Sequence, residues 1–153
     1  MDSNEFDLEM MKMALRLAER ASELGEVPVG AVLVKGADVI GWGHNEVEMR
    51  KDATAHAELL ALREGALRVG DWRLIGTTLY STLEPCMMCA GALFLSRVDR
   101  VVYGARDFRH GAHGSLIDLF SLKHPTHALS IEGGLLEASS AMLLKEFFKK
   151  QRK

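Results

Sequence analysis

Cysteine is scarce in this chain: its 153 residues include only Cys86 and Cys89. A disulfide framework is therefore excluded as a source of stability, and the C-x-x-C pair reads as a metal-binding or redox element. Long apolar runs are lacking too, none approaching the roughly 20 residues of a membrane-spanning helix, so no membrane association is expected. The first residues, Met1-Asp2-Ser3-Asn4-Glu5, are acidic and place no basic segment ahead of an apolar one. No secretory signal is read there, and the cytoplasm is the expected location. An excess of one charge is also missing. The net charge of −2 gives no whole-chain attraction to nucleic acid and leaves that task to local basic clusters at residues 106–110 and 145–153. Only three prolines occur, and no repeat, low-complexity run or Pro/Gly-rich linker divides the sequence, so residues 1–153 are expected to form one domain. The 48% apolar and 26% charged residues exclude disorder. A chain of this length buries roughly 70% of its unfolded surface. A bound metal would therefore serve chemistry more than folding.

Hydrophobic periodicity alternates between helix and strand. Met10, Met13, Leu17, Ala21 and Leu24 form a helical stripe within residues 6–24, which Gly25 ends. Residues 27–34 and 39–43 read as strands joined in a hairpin around Gly36-Ala37-Asp38. A helix capped by Asp52 or Thr54 is expected to run to about Val69 with Leu59, Leu60, Leu62, Ala66 and Leu67 facing inward. Residues 78–82 read as a strand, 86–96 as a helix, 98–103 and 129–131 as strands, and about 135–153 as a basic C-terminal helix. This alternation gives an α/β protein whose sheet is covered on both faces. The helix containing Met87, Met88, Leu93, Phe94 and Leu95 is apolar nearly all round, so either it lies deep in the core or it meets a second subunit.

Two segments carry the chemistry, His56-Ala57-Glu58 and Pro85-Cys86-Met87-Met88-Cys89. Together His56, Cys86 and Cys89 offer one imidazole nitrogen and two thiolates, the three protein ligands of a catalytic zinc whose fourth tetrahedral position stays open to water. Glu58 is left outside the ligand set and free to carry protons. Pro85 is read at the first helical position, with Cys86 and Cys89 on one face of the first turn. His56 and Glu58 would diverge in the middle of a helix, so both are read in a first turn after Thr54, where side chains converge on the axis end. Two helix N-termini meeting at one point would favour the thiolates. A lone C-x-x-C reads as well as a structural zinc half-site or a redox pair, and a lone H-x-E carries little information. Their order, their helix-opening positions and the use of both cysteines point to catalytic zinc. His44, His110, His113, His124 and His127 lack such partners and read as surface or loop residues.

The pattern H-x-E followed by P-C-x-x-C is the known signature of zinc nucleobase deaminases. Beyond it, Glu26-Val27-Pro28-Val29-Gly30-Ala31-Val32, Asn45, Thr54-Ala55-His56-Ala57-Glu58, Leu83-Glu84-Pro85-Cys86-Met87-Met88-Cys89-Ala90-Gly91-Ala92, Gly104-Ala105-Arg106-Asp107 and Phe147-Phe148-Lys149-Lys150 resemble the bacterial tRNA-specific adenosine deaminases. The resemblance covers nearly the whole chain. It implies a three-layer α/β/α cytidine-deaminase-like fold with a central mixed five-stranded sheet, a homodimer, one zinc per subunit and no nucleotide cofactor. The implied reaction is hydrolytic conversion of adenosine to inosine at the wobble position of an arginine tRNA, with release of ammonia. Glu58 would take a proton from the attacking water, give it to N1 of adenine and then protonate the departing amine. The resemblance further implies that Asn45 hydrogen-bonds the flipped base, that Val29 packs on its face and that the backbone beside Ala57 and Glu84 meets its edge. Asp107 would touch the ribose of the preceding nucleotide, a contact that separates RNA from DNA. Phe148, Lys149 and Arg152 would meet the anticodon stem-loop. One departure is Ala53, where the family more often has Pro, which affects loop stiffness more than chemistry.

Plainer readings stand beside these. Val29 also fits a strand core, Asn45 a turn, Asp107 a solvated loop, and the terminal lysines an electrostatically suited helix end. Phe108 and Arg109 offer an aromatic-basic pair that could stack on or steer the RNA loop. A deaminase of free bases or nucleosides could use the same zinc site, yet it would not need the basic tail or the Arg106-Asp107-Phe108-Arg109 loop. A non-catalytic zinc-binding module would not need Glu58.

Overall fold

Residues 1–151 are described by a computed structural model. Their elements run α1 (Ser3–Glu23), β1 (Gly30–Lys35), β2 (Asp38–His44), α2 (Val47–Arg50), α3 (Ala57–Val69), β3 (Thr77–Leu83), α4 (Met87–Leu95), β4 (Arg100–Ala105), β5 (Ser130–Glu132) and α5 (Glu137–Gln151). The five strands form one sheet in the order β2-β1-β3-β4-β5. β1 pairs antiparallel with β2 and with β3, whereas β3, β4 and β5 run parallel, so the sheet is mixed. A tight turn at Gly36, whose φ is 63°, suffices for the antiparallel hairpin. The parallel β3–β4 step needs a crossover, which α4 supplies.

Alternation along β1 assigns the two faces. Ala31 and Leu33 join Ala61, Leu62, Leu79, Leu93 and Val101 in one buried cluster. Val32 and Val34 join Met11, Ala14, Leu15, Tyr80 and Val102 in the other, where Leu135, Leu136 and Leu143 also pack. Helices α3 and α4 thus cover one face, α1 and α5 the other, and the expected three-layer α/β/α arrangement is present.

Several sequence expectations are corrected. Helix α3 begins at Ala57, not after Thr54, because Asp52 Oδ1 accepts hydrogen bonds from the Thr54 N–H (2.8 Å) and Oγ1 (2.6 Å) and closes a turn ahead of the helix. Its buried stripe is Ala57, Glu58, Ala61, Leu62 and Gly65, while Leu67 points outward at 84% exposure. Small residues win here because α3 lies close on β2: a Cβ at Gly41 would overlap the carbonyl oxygen of Ala61. Residues 27–29 precede β1, with the Val29 N–H turned onto the Val27 carbonyl.

At the start of β4, Arg100 donates two hydrogen bonds to Asp7 of α1 (2.9 and 2.6 Å) and one to Glu132 (2.5 Å), and the Tyr80 hydroxyl also donates to Asp7 (2.5 Å). The strand ends opposite this network carry the motif residues.

Candidate active site

Strand β3 ends at Leu83 and β4 at Ala105, and the segments that follow them face the start of α3. His56 is the N-cap of α3, with extended backbone (φ −80°, ψ 146°), and Cys86 is the N-cap of α4 (φ −81°, ψ 177°). Neither side chain makes a capping hydrogen bond. This corrects two expectations: His56 lies outside the helix rather than in its first turn, and Pro85 precedes the cap instead of opening the helix. The reason is geometric, since an N-cap side chain leaves the helix axis and can converge with one from a neighbouring helix.

His56 Nδ1 lies 3.6 Å from Cys86 Sγ and 3.5 Å from Cys89 Sγ. Donors bound to a single tetrahedral zinc at bonds of about 2.0–2.3 Å sit about 3.5–3.8 Å apart. The spacing and the one-nitrogen, two-sulfur donor set therefore fit zinc. Among the described residues, no other group of three or more His, Cys, Asp or Glu is close enough to hold a metal. The other histidines are engaged elsewhere or exposed: His113 Nδ1 lies 2.7 Å from the Tyr103 hydroxyl, His127 Nε2 lies 2.7 Å from the Val98 carbonyl, His124 stacks on Phe94, His44 Nδ1 faces the Asn45 carbonyl, and His110 is exposed.

The electrostatics divide the two sulfurs. A hydrogen bond from the Cys89 thiol, with the His56 ring beside it, pulls Cys86 down to about 4, well below an ordinary thiol. Cys89 moves upward, first through that hydrogen bond to Cys86 and then through burial. His56 is raised, chiefly by its hydrogen bond to Cys86, and the charges of Glu58 and Asp107 act in the same direction. Glu58, the second residue of α3, is 4% exposed, and burial pushes its carboxyl up to about 7. A carboxyl poised near neutrality can both take and return a proton.

Two buried carboxylates that the sequence reading did not single out as side chains hold segments next to the motif residues in the chain. Glu26 accepts from the backbone N–H groups of Glu48 (2.9 Å) and Met49 (2.7 Å), which pins the short helix α2 that follows Asn45. Glu84 accepts from the N–H of Asp107 (3.1 Å), the N–H of His113 (2.8 Å) and the Ser115 hydroxyl (2.5 Å). The one available signal was a Glu next to each structural segment, with no periodicity to mark its partners 22 to 31 residues away.

The expected substrate contacts fall as follows. Asn45 is buried, and its Oδ1 accepts from the Ala57 N–H (2.9 Å), so its side chain is locked across the start of α3 with the amide NH2 left for another partner. Val29 belongs to the core cluster at 2% exposure. The Glu84 N–H is taken by the Ala105 carbonyl, 2.8 Å away. Asp107 Oδ1 accepts from the N–H groups of Arg109 (3.2 Å) and His110 (3.1 Å). Phe108 is 80% exposed beside it. Phe148 and Lys149 are exposed on α5, where Phe148 meets the buried Phe147 edge to face; Arg152 lies outside the described residues.

Residues 4–105 match the family model for the cytidine and deoxycytidylate deaminase zinc-binding region. The tRNA-specific adenosine deaminase of Haemophilus influenzae is 48% identical over 97% of this chain and 87% of its own, and that of Bacillus subtilis is 46% identical over 94% and 89%. A solved structure from work on A-to-I editing by tRNA:A34 deaminases at the wobble position of transfer RNA superposes with a TM-score of 0.85 at 43% identity, covering 89% of this chain and 99% of that one. A zinc-fitting donor triad at two helix N-caps, carried on a chain alike from end to end, makes this protein a member of the zinc-binding cytidine and deoxycytidylate deaminase family, in the branch of the tRNA-specific adenosine deaminases.

Proposed function

We propose that the chain is one zinc-dependent deaminase domain that hydrolyses adenosine to inosine in tRNA, at the wobble position of an arginine tRNA, and releases ammonia. The observation that carries the reading is Glu58: a buried carboxylate beside the His56, Cys86 and Cys89 donors yet outside them. A structural zinc site has no use for such a group. One zinc per chain is inferred, and when bound it supplies a water activated for attack on C6 of adenine. Glu58 moves the protons, first to N1, which relieves the charge building in the ring, and then to the departing amine. The extended site is inferred as well. The free Asn45 amide donates to the base, the almost fully buried Val29 packs on its face, and the backbone beside Ala57 and Glu84 meets its edge. Asp107 accepts from a ribose 2′-hydroxyl. Phe148, Lys149 and Arg152 meet the stem-loop.

A homodimer is supported by α4, whose Cys89, Ala90, Leu93 and Phe94 are buried while Met87 and Leu95 are 51% and 63% exposed. Of the two alternatives left by an all-apolar helix, a second subunit is the one this open face suits. No helix among the described residues is long and apolar enough to cross a membrane, and a tRNA substrate suits the cytoplasm. Turnover measured in parallel on an anticodon stem-loop, free adenosine, guanine and cytidine tests the reading. Inosine in the stem-loop is expected; turnover confined to a free base or nucleoside would overturn the RNA assignment.

A further inference from the structure

Glu84 is the last residue before Pro85-Cys86, and its carboxylate is fully buried. An ionised side chain in that position is costly unless donors surround it. Here they all come from one segment, residues 106–115. The Asp107 N–H and the Ser115 hydroxyl donate to Oε1, the His113 N–H donates to Oε2, and the Arg106 guanidinium lies 3.9 Å from Oε1. Gly111 packs directly on the carboxyl, where any Cβ would overlap it. The same segment is tied back to the metal-binding turn, because the Ala112 N–H donates to the Pro85 carbonyl (2.8 Å) and Gly111 forms an isolated β-bridge with Cys86. The segment carries no regular secondary structure of its own. Its conformation is set by a carboxylate two residues from a zinc ligand.

The side chain that matters most on this segment is Asp107. Its Oδ1 is committed to the turn through Arg109 and His110, while Oδ2 faces the His110 ring, whose Nδ1 lies 3.8 Å away. An acceptor-only oxygen held at a fixed height beside the site suits a hydroxyl donor on the substrate. That height is set by the Asp107 backbone, and the Asp107 N–H is bonded to Glu84.

We propose that Glu84 is a positioning residue: its carboxylate folds residues 106–115 against the metal-binding turn and holds Asp107 where it selects ribose over deoxyribose in the strand that enters the site. This rests on the RNA reading of the previous subsection. Glu84 touches no reacting atom. A Gln at this position keeps one acceptor but turns an NH2 toward the N–H of Asp107 or of His113, so the segment must loosen on one side.

The test measures kcat and KM on an anticodon stem-loop and on the same stem-loop carrying a single 2′-deoxy nucleotide before the target adenosine. The zinc-loaded native protein, Glu84→Gln, Ser115→Ala, Asp107→Ala and the Glu84→Gln/Asp107→Ala double variant are compared, with zinc content checked for each. The native protein is expected to prefer ribose by about tenfold, the scale of one charged hydrogen bond. Glu84→Gln should lose most of that preference, Ser115→Ala part of it, and the double variant no more than Asp107→Ala alone. Amide exchange at Asp107 and His113 should quicken in Glu84→Gln with zinc retained. Unchanged ribose preference in Glu84→Gln and Ser115→Ala, or preference losses that add in the double variant, would overturn the proposal. A native protein that turns over the stem-loop without ribose preference would overturn this inference alone, whereas no turnover of either stem-loop would overturn the RNA reading beneath it.

Discussion

Asp7 and Glu58 are both largely buried carboxylates, one bonded to the first residue of β4 and the other beside the turn that follows β3, and their surroundings give them opposite work. Asp7 is held below the ordinary carboxylate range, mainly by the Arg100 guanidinium, with Tyr80 adding a hydrogen bond. Glu58, in the metal-free chain, is pushed up to about 7 chiefly by burial, which the nearby His56 ring offsets only in part. The first arrangement keeps a charge fixed and ties α1 to β4 and β5. The second leaves an acid near neutrality in the metal-free chain, which suits the proton-carrying role proposed for it. The two buried acids differ in whether each has been given its own counterion.

The largest effects are expected at the proposed metal ligands. Cys86→Ser or Cys89→Ser should lose metal and activity together, since both sulfurs belong to the one donor triad among the described residues; elemental analysis showing full zinc in either variant would mean that the ligand set is wrong. Next in size is Glu58→Ala, which leaves the three ligands in place. Turnover should fall by at least about 10²- to 10⁴-fold while zinc and stem-loop binding persist, and near-native turnover would refute the proton role.

Two further variants separate Glu58 from Asp7 by their pH dependence. The folded state of the metal-free chain favours protonated Glu58, so that contribution is complete below the unfolded value of 4.5 and is lost as pH rises through about 7. Glu58→Gln should therefore make the chelated protein more stable than the native chain at pH 8, by about 3 kcal/mol, and the gap should close toward pH 4. Asp7 has the opposite sign. Its lowered value contributes stability above the unfolded 3.8 that is lost as pH falls through the folded value. Asp7→Asn should cost about 1–3 kcal/mol at pH 7, for charged hydrogen bonds weakened at a site with the side chain mostly buried, and less below about pH 4. Denaturant melts at several pH values check both: with rising pH one variant should gain on the native chain and the other should fall behind it.

The residues that make the contrast were unequally visible in the sequence. His56, Cys86 and Cys89 were legible because ligand chemistry allows few residue types and the spacing places them at helix starts. The alternation of helices and strands was legible for the same reason that β1 shows it: Val32 and Val34 face one way, Ala31 and Leu33 the other. Less readable was how α3 meets the sheet, because leucines marked the expected inner face while Ala61 and Gly65 make the close approach to β2. The four-residue helix α2 is too short for any period and is held by Glu26 from another part of the chain. Asp7, Arg100, Glu132 and Tyr80 come from four separate elements. Glu84 shows the same limit within the site itself: the family resemblance drew attention to its backbone, whereas its side chain organises a segment more than twenty residues further on.

Deamination of adenosine within tRNA by the Glu58-centred site is checked by incubating purified, zinc-loaded native protein and Glu58→Ala with total bacterial tRNA and mapping inosine by position. New inosine is expected at the wobble position of an arginine tRNA with the native protein and almost none with the variant. No new inosine in any tRNA, or equal inosine from both proteins, would contradict it.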